Sequence, residues 1–129
     1  RAMMEGVGYS VYHGISIAKA HGLKISPPMA LVEGGAVSPL WRQIISDICD
    51  LETAFMAGAQ GAPFGDAVIA GVALGVFEDY SVIKGWLKYS DYAHPDPERH
   101  ALYEELFTTY LSLYQNVRPN YEQLKAIYS

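Results

Sequence analysis

Apolar positions recur at helical spacing over the first twenty residues. Met4, Val7, Val11, Ile15 and Ala18 form one stripe, and Gly22 is placed to end the helix. A chain that starts so abruptly inside an amphipathic helix reads as part of something larger. Pro27-Pro28 then leads into Met29-Ala-Leu-Val32, a short apolar run without helical period, bounded by Gly34-Gly35 and so read as a buried strand. A helix follows almost at once: Ser38 suits the N-cap, Pro39 the first helical position, and Leu40, Trp41, Ile44, Ile45 and Ile48 repeat at helical spacing. The unit is strand, glycine turn, helix.

Downstream, Leu51-Glu-Thr-Ala-Phe55 alternates well enough for a second short strand beside the first. The stretch from Gly58 to Gly75 reads as a loop running into a helix rich in Ala and Gly, with Pro63 at its start and Asp66 in or near its first turn. So many small residues imply a backbone packed close against that helix, or room for a flat ligand over it. Glu78 to Leu87 predicts a short helix and Lys88 to His94 a polar stretch. Asp96 caps a long helix begun by Pro97, with Tyr103, Leu106, Phe107, Tyr110 and Tyr114 as its buried stripe. Arg118-Pro119 is expected to break it before a terminal helix carrying Tyr121, Leu124 and Ile127. An aromatic stripe at this spacing indicates core or interface.

Half of the 129 residues are hydrophobic, enough for a real core, yet no apolar run is long enough to span a bilayer, so a soluble, membrane-free protein is expected. A net charge of −5 with few Lys and Arg argues against nucleic acid as a partner. A small nucleotide stays compatible, since main-chain amides can hold its phosphates and a metal ion can neutralise the remainder. The single cysteine, Cys49, permits no internal disulfide and reads as a buried, inert thiol in a reducing compartment.

The most promising chemistry is at the glycine turn. Adjacent glycines let a ligand approach the main chain, and the helix start behind them favours phosphate or ribose oxygens. The turn lacks both the Gly-x-Gly-x-x-Gly spacing and the Gly-Lys-Ser/Thr ending of phosphate loops, so on the residues alone a ligand site and a plain turn both stand. Glu33 and Asp47 flank it, Asp47 on the polar side of the helix as a solvated or hydrogen-bonded residue. His13, His21, His94 and His100 show no metal-ligand spacing, and no hydrolase elbow or self-sufficient catalytic constellation is present.

Glu33-Gly-Gly-Ala36, Ser38-Pro-Leu-Trp-Arg-Gln43 and Asp47, then Gly61-Ala62, Gly65-Asp-Ala67, Ala70-Gly71 and Gly75, then Pro95 and Pro97-Glu98 with the tyrosine-rich helix, resemble the C-terminal domain of FGGY-family carbohydrate kinases. The match runs in order over nearly the whole chain. The resemblance implies an α/β fold, part of a ribonuclease-H-like (actin-like ATPase) domain with a few strands and several packed helices. It further implies a cytoplasmic, Mg2+-dependent, ATP-binding part of a kinase that transfers the γ-phosphoryl group to a sugar hydroxyl, a pentulose such as xylulose favoured. By position, Gly34, Gly35 and Ala36 would lie beneath the phosphates and ribose, with Ser38 and Pro39 at the adenosine; Gln43 and Asp47 would support them. Where many members carry a third glycine, this chain has Glu33. The general base, the phosphate hairpin and most sugar contacts belong to an N-terminal sugar-binding domain absent from this chain, which alone is expected to be inactive. The alternatives are a noncatalytic interaction module of the same fold and a glycerol-type kinase of the same family. The aromatic outer helices leave room for a homodimer.

Overall fold

The computed structural model describes residues 1–57 and 61–128. In chain order these form α1 (Ala2–Ala20), β1 (Met29–Leu31), α2 (Glu33–Val37), α3 (Pro39–Cys49), β2 (Thr53–Ala57) and α4 (Gly61–Ala73). A 3-10 turn at Tyr80–Val82, α5 (Ile83–Trp86), β3 (Lys88–Ala93) and α6 (Pro97–Tyr128) complete them. The start of the expected small-residue loop, Gly58 to Gln60, lies outside the described residues. The sheet order is β1-β2-β3, with β1 and β2 parallel and β2 and β3 antiparallel. A parallel pair needs a crossover, and α2 with α3 supplies it. Met29 then stands opposite Thr53 and Leu31 opposite Phe55, as the sequence pairing of the two short runs implied.

Local chemistry sets the bounds of α3. Ser38 Oγ accepts from Trp41 N–H at 3.4 Å, Pro39 follows at the first helical position, and Asp50 closes the helix with φ 49°. Ile44, Ile45, Ile48 and Cys49 bury the inner face of this helix against Tyr9 and Ile15 of α1 and Tyr103 and Phe107 of α6. Helix α1 comes close to α3 at Gly8, where a Cβ would stand 2.6 Å from Ile48 Cδ1. Burial pushes the Cys49 thiol from an ordinary 9.0 up to about 12. Native protein should therefore not react with a thiol reagent at pH 8, while urea-unfolded protein should react quantitatively; fast native labelling would show the thiol exposed. Because the folded thiol stays neutral, its contribution to stability is complete below the unfolded pKa and is lost as pH rises toward about 12.

Several sequence expectations change. In α1, Val7 and Val11 are exposed, and the buried face is Gly8, Tyr9 and Ile15 with Met4 and Tyr12 at its margin. Tyr9 stacks at 6.1 Å from Phe107 and Tyr12 lies 4.7 Å from it, and rings of that area decide the helix's rotation over valines. Strand β1 is only half-buried, because it lies at one end of the sheet order. Leu40 is exposed on α3, and Leu106 and Tyr114 are exposed on α6. The stretch 88–94, expected to be merely polar, contains β3, whose pairing with β2 overrides a sequence that buries only Ala93. The expected helix over 78–87 is split into the 3-10 turn, capped by Asp79 accepting from Ser81 N–H at 2.7 Å, and α5. Helix α6 begins as expected, Asp96 Oδ1 accepting from Glu98 N–H at 3.0 Å, but runs unbroken through Pro119. The carbonyl that loses its donor there belongs to exposed Gln115, open to water. No helix among the described residues is long and apolar enough to cross a membrane.

Candidate functional site

The expected glycine turn is a short helix. Val32 leaves β1 extended, Glu33 turns left-handed at φ 63°, and the chain winds through α2 before Ser38 returns to extended geometry and caps α3. A left-handed φ costs a non-glycine residue roughly 1–3 kcal/mol, which gives a physical reason for a glycine at this position. The side chain of Val32, at the N-cap, offers α2 no acceptor. No N-cap side chain therefore occupies the amides of its first turn.

The five residues singled out by sequence divide. Gly34 and Pro39 are exposed, Gly35 and Ser38 half-buried, and Ala36 buried. Among the described residues nothing lies within 4 Å of where a Cβ at Gly34 would be, which leaves its outer face free for a ligand. Gly35 instead faces inward: a Cβ there would sit 3.0 Å from Trp41 Cζ3 and 3.1 Å from Cε3. Ala36 can contribute only main chain, and the Ser38 hydroxyl already serves as the α3 cap.

Arg42 was not anticipated. It is buried, and its Nη1 donates to the Ala36 carbonyl in a short contact and to the Val37 carbonyl at 3.1 Å, clamping the end of α2 onto α3. The apolar stripe alone could not reveal it, because the partners are carbonyls rather than side chains.

Of the two readings expected for Asp47, solvated or hydrogen-bonded, the second holds, and the residue is 1 % exposed. Its Oδ1 accepts from Gln43 Nε2 at 2.7 Å and from Asp96 N–H at 3.0 Å, and its Oδ2 lies 3.5 Å from Arg99 Nη1. Gln43 also donates to the His94 carbonyl at 2.8 Å, and His100 Nδ1 donates to the Asp47 carbonyl at 3.0 Å. Gln43 and Asp47 thus fasten α3 to the start of α6 and stay clear of the glycines.

Glu33 reaches the other way. Its carboxylate lies against Gly61, the first residue of α4, itself at φ 62°. The glycine-rich α2 and the small-residue α4, separate in sequence, therefore adjoin. Helix α4 buries Val68 and Gly71, the latter against the Phe77 ring, while among the described residues nothing lies near where a Cβ at Gly65 would be. Asp66 falls beyond its first turn. The expected close-packed backbone along this helix is absent among the described residues.

Two concavities among the described residues lie elsewhere. One of about 630 Å³ lies between His13 and Tyr110, Tyr114, Val117 and Tyr121; another of about 310 Å³ lies at Val76 to Val82. The first is lined mainly by apolar and aromatic side chains of an uncovered helix end and gathers no convergent charged groups, so its size is a weaker guide than the uncapped turn of α2. The described residues hold no group of three His, Cys, Asp or Glu able to bind a metal.

The model of the C-terminal domain of the FGGY family of carbohydrate kinases matches residues 1–74. The xylulose kinase of Escherichia coli K12 is 32% identical over 120 residues, 92% of this chain and 25% of that protein. A xylulose kinase of Staphylococcus epidermidis is 29% identical over 119 residues, 92% of this chain and 24% of its own length. Among solved structures, the xylulose kinase of Rhodospirillum rubrum superimposes with a TM-score of 0.75 at 21% identity, covering 95% of this chain and 25% of that one. The gluconate kinase of Lactobacillus acidophilus gives 0.74 at 24% identity, covering 96% and 25%. These likenesses show that the α/β fold is the one found in those two kinases. The chain spans about a quarter of the length of the curated relatives it matches. Sequence and fold agree, and the chain belongs to the FGGY family of carbohydrate kinases, in the part that corresponds to that family's C-terminal domain.

Proposed function

We propose that this chain is the nucleotide-binding portion of a cytoplasmic sugar kinase that transfers the γ-phosphoryl group of Mg-ATP to a sugar hydroxyl, with a pentulose such as xylulose favoured. The observation that carries the reading is the open face of Gly34 on an uncapped helical turn, adjoining α4 through the Glu33 contact with Gly61. The relatives named xylulose kinase favour the substrate.

In this reading the Gly34 and Gly35 amides receive the phosphates, Ala36 and Arg42 hold the turn in shape, and Ser38 with Pro39 borders the adenosine. The described residues suit the nucleotide better than the metal, since they offer no cage for Mg2+. The ion would be held chiefly by phosphates and water. Phosphoryl transfer depends on positioning and charge neutralisation, and this chain supplies the positioning of the donor. The acceptor sugar and the base that orients its hydroxyl belong to the N-terminal domain of the kinase.

Substitution Gly34→Asp tests the turn without disturbing the fold. The side chain meets open space, so stability should change by no more than about 0.5 kcal/mol. A carboxylate beside the phosphates should weaken Mg-ADP binding by about tenfold or more in calorimetric titration. Unchanged affinity would remove the turn as the phosphate site.

A further inference from the structure

Helix α6 keeps one apolar stripe along its length, and only the first half of that stripe is covered. Tyr103, Phe107 and Tyr110 stand four and three residues apart and pack on Tyr9 and Tyr12 of α1. The same alternation runs on through Tyr114, Val117, Tyr121, Leu124 and Tyr128, all of them exposed. A seven-residue repeat of this kind holds one face of a helix against a partner. The concavity of about 630 Å³ beside His13 lies where the stripe leaves the cover of α1. An isolated helix of this length with Pro119 inside it is marginal in water, so the second half of α6 needs a cover.

The width and charge of the stripe select what covers it. Leu106, Leu113 and Ile127, also exposed, recur at multiples of seven beside it and widen it to three positions per repeat. A narrow stripe seats a single helix, whereas one this wide faces a globular core. Arg118 and Lys125 border the stripe, while Glu122 falls on the opposite face. An antiparallel second copy would set these cations against their own kind, and a parallel one would set them against Leu113 and Asn120. Neither is self-complementary. The Rhodospirillum rubrum kinase superimposes on 95% of this chain, a share that includes most of α6, and the match takes up only 25% of its own length.

We propose that the second half of α6 is the seat of the N-terminal domain of the same polypeptide, an inference that rests on the kinase reading above. That domain presents an apolar surface with an acidic rim to the stripe. It stays there with or without nucleotide, so α6 ties the two domains together.

Photo-cross-linking of the protein at its full natural length tests this, with p-benzoylphenylalanine in place of Tyr121 and, as a control, in place of Glu122 on the opposite face. Both positions are exposed among the described residues, so neither probe disturbs their packing. The probe at Tyr121 is expected to join peptides that precede Arg1 in the same chain, equally with and without Mg-ADP, and the probe at Glu122 to join none. Cross-links between two copies, seen as a doubled mass on a denaturing gel, would overturn the proposal in favour of a dimer. A probe at Tyr121 that joins nothing, or only residues of this chain from Arg1 onward, would overturn it as well. Calorimetric titration of the same protein with Mg-ADP keeps the two readings apart. Cross-links upstream without Mg-ADP binding would leave the seat standing and remove the nucleotide reading, and Mg-ADP binding without them would remove the seat alone.

Discussion

Replacing Asp47 with alanine is expected to cost about 3–5 kcal/mol of folding stability, the largest loss of any single polar change here. The carboxylate is 1 % exposed and takes hydrogen bonds from Gln43 and from the Asp96 amide, with Arg99 at 3.5 Å. Alanine leaves the Asp96 amide without that acceptor and removes the group that joins the middle of α3 to the first turn of α6. Gln43 keeps its bond to the His94 carbonyl, which limits the damage. Asp47→Asn retains one acceptor oxygen and should lose roughly half as much. Urea denaturation of both variants reads the effect, and a loss under about 1 kcal/mol for alanine would show that the two helices are held by apolar packing alone.

The largest effect on binding is expected from Gly35→Val. A Cβ at this position already stands 3.0 Å from the Trp41 ring, and the two further methyl groups of valine have to move either that ring or α2 itself. Overpacking of this kind typically costs about 1–3 kcal/mol. If the displaced element is α2, the amides that receive phosphate shift with it, and Mg-ADP affinity should fall about 10- to 100-fold. Gly35→Ala should lie between valine and the parent. A folded valine variant with parental affinity would show that the inward face of α2 has no part in shaping the site.

Sequence carried the pieces whose causes are local. Ser38-Pro39 announces the start of α3, Asp96-Pro97 that of α6, and the two apolar runs announce adjacent strands. It could not carry features whose causes lie far along the chain. Sequence leaves Asp47 either solvated or hydrogen-bonded, and only the start of α6, about fifty residues later, delivers the partners that decide it. The strand at 88–93 has a polar face and becomes a strand only because β2 offers an edge. Arg42 sits among apolar neighbours, and its hydrogen bonds go to carbonyls that no residue pattern encodes. At the candidate site, the pair of glycines was visible, but the winding of α2, the inward aim of Gly35 and the meeting of Glu33 with Gly61 depend on backbone angles and tertiary contact.

The most direct test of the nucleotide site is an amide NMR titration of the isotope-labelled chain with Mg-ADP. The predicted result is saturable shifts confined to Gly34 through Ser38 and to Gly61 through Ala70. No response in the folded chain at millimolar ligand, or shifts confined to the Tyr110 to Tyr121 segment of α6, would contradict it.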